Sequence, residues 1–345
     1  MKRILHTKLY PRLMITVDGS RGEGGGQILR TTVAMSVVNE TPIRITNIRK
    51  NRPNPGLSNQ HMTALKAVAE ICHGDLRGAE KGSPEIMFDP GVPSGGSYQF
   101  DIGTAGSITL FLQCVLPVLI SGGGEYEIRV KGGTDVKWSP PYDFFENVFL
   151  EHLRRMSLEV RSELLKRGHY PKGGGEVILT AKSGSPGSLD TGDEIRTIRG
   201  KAFVTSLDEH IMRRMRKKVL KEFVDIPVDV KLGSYESSSP GTGITLWTEG
   251  ERILGVGKLG EVGVPAERIG KEAADHLRGA MESGFHLDRW SADQLIPYLA
   301  MSKGHGEIRI GEPSGHLKTN VWTTDLFIPD GVIIEERDDG FYILY

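Results

Sequence analysis

The sequence predicts an α/β protein built from repeated units, with a separate module inserted late in the chain. Three observations predict it. A glycine-rich loop that opens a helix occurs near the start (Gly22–Gly26), again at Gly103–Gly106, and a strand-to-helix turn returns at Gly315-His316-Leu317. Three strands share an apolar–Arg–apolar pattern: Ile43-Arg44-Ile45, Ile128-Arg129-Val130 and Ile308-Arg309-Ile310. Arg44 and Arg129 lie 85 residues apart whereas Arg129 and Arg309 lie 180 apart, so a repeat of that period leaves about 95 residues to be housed between the second and third units.

In order, Met14–Asp18 reads as a strand, Gln27–Val38 as a helix, Ile43–Ile48 as an alternating strand and Leu57–Cys72 as a helix. The second unit has a helix ending near Ile120, a strand Glu127–Val130, a helix Pro141–Met156, and strands Leu158–Leu165 and Val177–Thr180. The extra segment starts after the flexible run Ser183–Ser188 and ends near Ser283-Gly284. Inside it the patterns give strands Lys201–Ser206, Val228–Leu232, Gly243–Thr248 and Ile253–Val256, with helices Glu209–Phe223 and Pro265–Met281. A helix Ser291–Met301, a strand Glu307–Ile310, a helix Leu317–Leu326 and a hairpin at Asp338-Asp339-Gly340 close the chain. The expected organisation is therefore a large domain of residues 1–184 and 285–345 and an inserted small α/β domain of residues 185–284. Residues 1–13 are expected to be an extension, with Met14 an alternative start.

Bulk properties exclude more than they identify. The 345 residues carry a net charge of −1, so an anionic partner must be met by a local basic surface. Cys72 and Cys114, the two cysteines, permit neither a disulfide framework nor a cysteine-based zinc site. The longest apolar run, Ile108–Ile120, contains Gln113 and Pro117 and is too short to span a bilayer. Met1–Leu13 has no continuous apolar core of a signal peptide, so a reduced, cytoplasmic setting is expected.

Candidate chemistry sits at the glycine loops. Gly22-Glu23-Gly24-Gly25-Gly26 before a helix suits either a tight strand-to-helix turn or a phosphate cradle; Glu23 among glycines would be explained by a metal-bound phosphate beside it. Gln113, among Leu110, Phe111, Leu112, Val115 and Leu116, is either a satisfied core amide or a ligand contact. Arg30, Arg44, Arg49, Lys50, Arg52 and Gln60-His61 form either a solvated basic face or an RNA or nucleotide track. The basic residues Arg213–Lys221 of the inserted helix spread over more than one face, as a solvent-exposed surface does. His316 lies at a helix N-terminus, where the positive end of the dipole disfavours the imidazolium; neutral imidazole is a competent nucleophile. Arg167–Val177, with three successive glycines between two strands, is either a hairpin or a place of close backbone approach.

That last stretch, Arg167-Gly168-His169-Tyr170-Pro171-Lys172-Gly173-Gly174-Gly175-Glu176-Val177, resembles the signature of the RNA 3′-terminal phosphate cyclase family at every fixed position. Further matches are Asp18-Gly19 with Gly22–Arg30, Pro55-Gly56-Leu57 with Gln60-His61, Gly103–Gln113, Gly132-Gly133-Thr134, Ala292-Asp293-Gln294 and His316-Leu317 with Thr319-Asn320. The resemblance runs from about Met14 to the C-terminus. It implies three units, each a four-stranded sheet with two helices like that of the C-terminal domain of translation initiation factor three, plus a small inserted domain. It also implies ATP-dependent conversion of an RNA 3′-terminal phosphate to a 2′,3′-cyclic phosphodiester through enzyme–AMP and RNA-(3′)pp(5′)A intermediates. Its implied partners are ATP, RNA with a 3′-phosphate end and a divalent metal, Mg²⁺ or Mn²⁺. Carried over by position, His316 resembles the adenylated nucleophile. Gln113, Pro140 and Trp290-Ser291-Ala292-Asp293-Gln294 resemble the adenylate pocket, Glu23 the metal contact, and Arg30, Arg49 and Gln60 positions near phosphates and the RNA end. Trp290-Ser291 departs from many relatives, which have Tyr or His followed by Leu; a tryptophan can still stack on adenine. Two rivals are a non-catalytic cyclase-like ribosome-biogenesis protein, which lacks the nucleophilic histidine, and an enolpyruvyl transferase, which lacks the adenylate run.

Overall fold

A computed structural model describes residues 13–345, so the expected extension, apart from Leu13, lies outside the described residues. The first unit runs β1 (Ile15–Asp18), α1 (Gly26–Val38), β2 (Ile43–Thr46), α2 (Asn59–Cys72), β3 (Asp75–Arg77) and β4 (Ile86–Asp89). Its sheet order is β1-β2-β4-β3, with β1 and β2 parallel across α1 and β4 antiparallel to both its neighbours. The second unit repeats the plan: β5 (Ser94–Asp101), α3 (Ile108–Ser121), β6 (Gly123–Gly132), a helical stretch of α4 (Tyr142–Phe144), a π segment (Phe145–Phe149) and α5 (Leu150–Arg155), then β7 (Val160–Lys166) and β8 (Gly175–Lys182). Its order, β5-β6-β8-β7, is that of the first unit.

Next come β9 (Ile195–Thr205), α6 (His210–Glu222), β10 (Val228–Tyr235), β11 (Gly241–Gly250), β12 (Gly255–Leu259) and α7 (Ala266–Glu282), a sheet of order β10-β9-β11-β12. Both helices bury one stripe, Met212, Met215 and Val219 on α6 and Ile269, Ala273 and Leu277 on α7, so their charged faces point to solvent. The last unit has α8 (Arg289–Gln294), α9 (Ile296–Ala300), β13 (Glu307–Ile310), α10 (Gly315–Asp325), β14 (Ile333–Arg337) and β15 (Gly340–Leu344).

The expectation of four strands in every unit is corrected here. Among the described residues the third sheet has three strands, in the order β13-β15-β14. That order matches β6-β8-β7, so the counterpart of β1 and β5 is the strand it lacks. The chain reaches the helix pair from α7 through residues 283–288, which form no strand, and residues 183–194 ahead of β9 form none either.

One hydrophobic core joins the three units and a second fills the β9–α7 segment, with Phe144, Val148 and Ile253 packed where the two meet. Helix α1 is apolar or small nearly all round and lies between α2, α3 and α10, which places both its glycine-rich N-terminus and the start of α10 at one locus.

The core also holds a pH liability. His152 is fully buried, neither ring nitrogen has a partner among the described residues, and burial pushes its pKa down to about 3. His61 is likewise pushed to about 3, by burial first and then by Arg30 and Arg49. A histidine with a lowered folded pKa contributes stability that is complete above its unfolded pKa, near 6.5, and is lost as pH falls toward the folded value. Stability is therefore expected to fall below pH 6.5 with a slope of about 1.4 kcal/mol per pH unit for each group. In His152→Leu, urea midpoints measured from pH 7 to pH 5 are expected to show a shallower acid loss; an unchanged slope would show that His152 is not held neutral.

Candidate active site

The candidate centre is set by α10. Ser314 caps it by accepting the Leu317 backbone N–H at 3.0 Å, which leaves His316 in the first turn. His316 Nδ1 lies 3.0 Å from Glu23 Oε2. The carboxylate comes from the loop preceding α1, and it fits because residue 315 is glycine: a Cβ there would sit 2.5 Å from Glu23 Oε1. The other ring nitrogen, Nε2, has no hydrogen-bond partner among the described residues. Partial burial pulls the His316 pKa below its ordinary value; Glu23 opposes this, and Arg30, Arg52 and Arg289 reinforce it. The lowered pKa favours the neutral imidazole, and a proton on Nδ1 facing the carboxylate leaves the Nε2 lone pair free. This is the base-and-orienter logic of nucleophilic sites. Gln27 Nε2 donates to the His316 carbonyl, tying α1 to the start of α10.

Arg52 Nη2 donates to the Glu23 carbonyl at 3.2 Å. Arg49 Nη1 donates to the Gly56 carbonyl at 2.9 Å, and its residue adopts a left-handed φ of 51°. Burial, then the charge of Arg52, lowers the Arg49 pKa, so the two guanidiniums are close enough to repel. Arg30 sits on α1 near Asp293 and Cys114, half-buried, with its pKa lowered by desolvation. Such crowded cations are what a phosphate-rich substrate would neutralise.

The positions expected around adenine divide in two. Gln113 Nε2 donates to Gln294 Oε1 at 2.6 Å, so the amide left open by its sequence is a polar pair linking α3 to α8, 181 residues apart. Asp293 is pushed up to about 8 by burial, against the pull of Arg30, and its carbonyl accepts from Asn320 Nδ2 at 2.7 Å. Asn320 Oδ1 in turn accepts from Thr31 Oγ1 at 2.8 Å. Trp290 is 40% exposed and meets Phe144 edge-on, leaving ring surface free. Ser291 and Ala292 are different. Both are buried, and the Ser291 hydroxyl is spent on Asp288 Oδ2 at 2.8 Å, so these two shape α8 from behind. Pro140 offers its carbonyl to Thr109 Oγ1 at 2.8 Å; Thr109 Oγ1 touches Ser107 Oγ at 2.9 Å, and the Ser107 N–H donates to Gln60 Oε1 at 2.9 Å. One hydrogen-bonded chain therefore joins an expected adenylate position to an expected RNA position.

Sequence reasoning missed Arg289, whose charge reaches both His316 and Asp293; it was visible only as a departure beside Trp290. It also missed the role of His61, which caps α2 through Ser58 Oγ at 2.8 Å and abuts Gly26; Ser58-Asn59-Gln60-His61 has capping-box spacing with histidine in place of the usual Glu or Gln.

The glycine-rich signature lies elsewhere. Gly173, at a φ of 67°, approaches the backbone of Thr104 and Ala105 so closely that a Cβ would fall 2.8 Å from the Thr104 carbonyl oxygen. Arg167 and His169 fasten the neighbouring sheet. Arg167 is fully buried, 2.9 Å from Asp135 and 2.5 Å from Asp143, and its guanidinium lies 3.7 Å from the centre of the Phe203 ring. His169 Nε2 pairs with Thr205 Oγ1 at 2.9 Å.

A family model described as RNA 3′-terminal phosphate cyclase matches residues 21–333. A protein of Methanopyrus kandleri named RNA 3′-terminal phosphate cyclase is 43% identical over 341 residues, 94% of this chain and 96% of its own. Proteins of the same name from Pyrococcus furiosus and Methanosarcina barkeri are 43% and 42% identical, covering 91% and 96% of this chain and 93% and 99% of theirs. With that coverage the chain belongs to the RNA 3′-terminal phosphate cyclase family.

Proposed function

We propose that the protein converts an RNA 3′-terminal phosphate to a 2′,3′-cyclic phosphodiester at the expense of ATP, with His316 as the nucleophile. The observation that carries the reading is the His316–Glu23 pair at a helix N-terminus, Nδ1 bonded and Nε2 open. Nε2 attacks the α-phosphorus of ATP and pyrophosphate leaves. The RNA 3′-phosphate then takes the AMP, and the adjacent 2′-hydroxyl, losing its proton, displaces AMP to close the ring. A phosphate monoester has no good leaving group; adenylation provides one, and the neighbouring hydroxyl closes by proximity. Glu23 holds the tautomer and stabilises the positive charge the ring acquires. Gln113, Gln294, Asp293 and the exposed face of Trp290 hold the adenosine, while Arg30, Arg49 and Arg52 meet phosphates.

Among the described residues no cluster of three or more His, Cys, Asp or Glu side chains is arranged to hold a metal. A divalent ion would accordingly be held by the Glu23 carboxylate together with substrate phosphates, the usual arrangement for Mg²⁺, and would neutralise charge on the triphosphate. Among the described residues, too, no helix is long and apolar enough to cross a membrane; a cytoplasmic setting belongs to the same proposal.

The test is incubation with magnesium and ATP radioactive in the α-phosphate, followed by RNA bearing a 3′-phosphate. Acid-labile AMP on the protein and a phosphatase-resistant RNA end are expected. No adduct and no cyclic end would favour the non-catalytic reading. Glu23→Gln is expected to slow adduct formation on the order of 10- to 100-fold. That is less than the roughly 10⁴-fold cost of losing the buried aspartate of a serine-protease triad, because Glu23 is partly exposed and water can replace it. Single-turnover adduct formation at saturating ATP measures this.

A further inference from the structure

Two aromatic side chains stand almost fully in solvent at the seam between the second unit and the β9–α7 segment: Trp138 is 96% exposed and Tyr170 79%. Large aromatic rings are highly buried on average, and these two are not. They rise from two loops that are hydrogen-bonded together. The Gly168 carbonyl accepts from the backbone N–H groups of Thr134 at 2.8 Å and Asp135 at 3.3 Å, and His169 Nδ1 bonds the Asp135 carbonyl at 3.2 Å. The Arg167–Asp135–Asp143 ion cluster beneath makes the base of both loops rigid. Trp138 also holds a left-handed φ of 63°, a conformation that a bulky residue adopts only where the surroundings impose it.

The position of the loops relative to the site narrows the ligand. The tip of the second loop, Gly173, rests on Thr104 and Ala105, and the neighbouring Gly106 rests on Gln60. The first loop ends at Pro140, which the Thr109–Ser107 chain joins to the same Gln60. On its far side Trp138 flanks a groove of about 490 Å³ against β12 and α7, lined also by Lys137, Lys258 and Arg268. These cations form exposed pairs, Lys137 with Glu261 at 3.2 Å, and Lys258 and Arg268 sharing Glu272 at 3.8 Å and 2.8 Å, so three positive charges face two carboxylates. Ion pairs near the surface contribute little, so a phosphate competes for these cations at small cost. Exposed aromatic rings beside a mildly basic groove are how single strands are held without sequence preference.

We propose that Trp138 and Tyr170 are stacking platforms for the unpaired nucleotides on the 5′ side of the RNA end, so that the family signature loop serves as part of an RNA track. The inference rests on the RNA-end reading of the site. It commits to single-stranded RNA; a protein partner or a second copy of the chain covering the same rings are outcomes of the test.

The test is direct binding, without turnover, of two probes: uridine 3′-phosphate and an unpaired ten-nucleotide RNA ending in a 3′-phosphate. Trp138→Ala and Tyr170→Ala are each expected to weaken decamer binding about 10-fold, within the range for losing one stacked base, and to leave the mononucleotide within twofold. Trp138→Phe and Tyr170→Phe are expected to retain most decamer affinity, since they keep the ring. Adduct formation from ATP in the absence of RNA is expected to be unchanged in all four. Equal decamer affinity in wild type and both alanine variants overturns the inference. So does a loss shared equally by the mononucleotide, or a change in molecular mass by light scattering in the alanine variants. Wild type that binds the decamer through these rings yet makes no cyclic end would instead sink the catalytic reading and leave the track standing.

Discussion

His316→Ala is expected to abolish labelling by α-labelled ATP and to lower cyclic-end formation by at least about 10⁴-fold, the scale seen when a covalent nucleophile is removed. The reason is local. Nε2 is the open nitrogen of the Glu23-bonded ring, and the neighbouring residues of the site, Gln27, Thr31 and Asn320, are already occupied in bonds between α1, α8 and α10. ATP affinity is expected to change little, because the groups on α3 and α8 proposed to hold the adenosine do not depend on the imidazole. A kcat loss with a near-constant ATP dissociation constant is thus the expected pattern. An alanine variant that still accumulates protein-bound AMP would place the nucleophile elsewhere. His316→Asn offers a second check, since it fills the space without a nucleophilic ring nitrogen.

Arg167→Ala is expected to cost about 3–5 kcal/mol of stability, the penalty for leaving partners of a buried ion cluster unpaired. Asp135 and Asp143 are buried, and among the described residues the bond network around them has no spare cation beyond Lys201, 3.7 Å from Asp143. Burial alone would lower the Arg167 pKa, but the two carboxylates hold it above its ordinary value, so the guanidinium stays charged. Burial also pushes the Asp143 carboxyl up despite Arg167. Removing all three charges together, as in Arg167→Met with Asp135→Asn and Asp143→Asn, is expected to recover much of the loss, since apolar or neutral replacement of a whole buried cluster is often tolerated. Denaturant midpoints of the single and triple variants decide this. A single variant as stable as wild type would mean that the cluster does not rivet the seam.

Glycine loops, apolar stripes and strand alternation were enough to read α1, α3, α6, α7 and most strands from the residues alone. The signal is local there: each segment carries its own period, and many of the runs are bounded by a glycine, serine or proline. β3, β4 and β5 escaped. Asp75-Leu76-Arg77 is too short to show a period, and Ser94–Asp101 presents exposed residues on both faces with two glycines, so only pairing with β6 makes it a strand. The three-stranded third sheet could not be read either, because which strand a repeat lacks is a matter of where the chain leaves it.

The signature at Arg167–Val177 identified the family from its residues, and both readings of its glycines hold: the stretch joins antiparallel β7 and β8, and it brings two backbones close together. The glycines allow close approach to Thr104 and Ala105, while Arg167 and His169 bind a second sheet to the first. His316 was legible as a candidate because it stands where a strand turns into a helix, and its expected role as nucleophile came from the family resemblance. That Glu23 orients it, that Gln113 pairs with Gln294, and that Ser291 turns its hydroxyl inward to Asp288 were not legible. Glu23 and His316 are 293 residues apart, and no periodicity reaches that far. The sequence by itself determined the residue types at the catalytic turns, because backbone demands and chemistry there are local. Only the packing of α1 against α3 and α10 decided which of them touch, because side-chain pairing across such separations exists only once the units have docked.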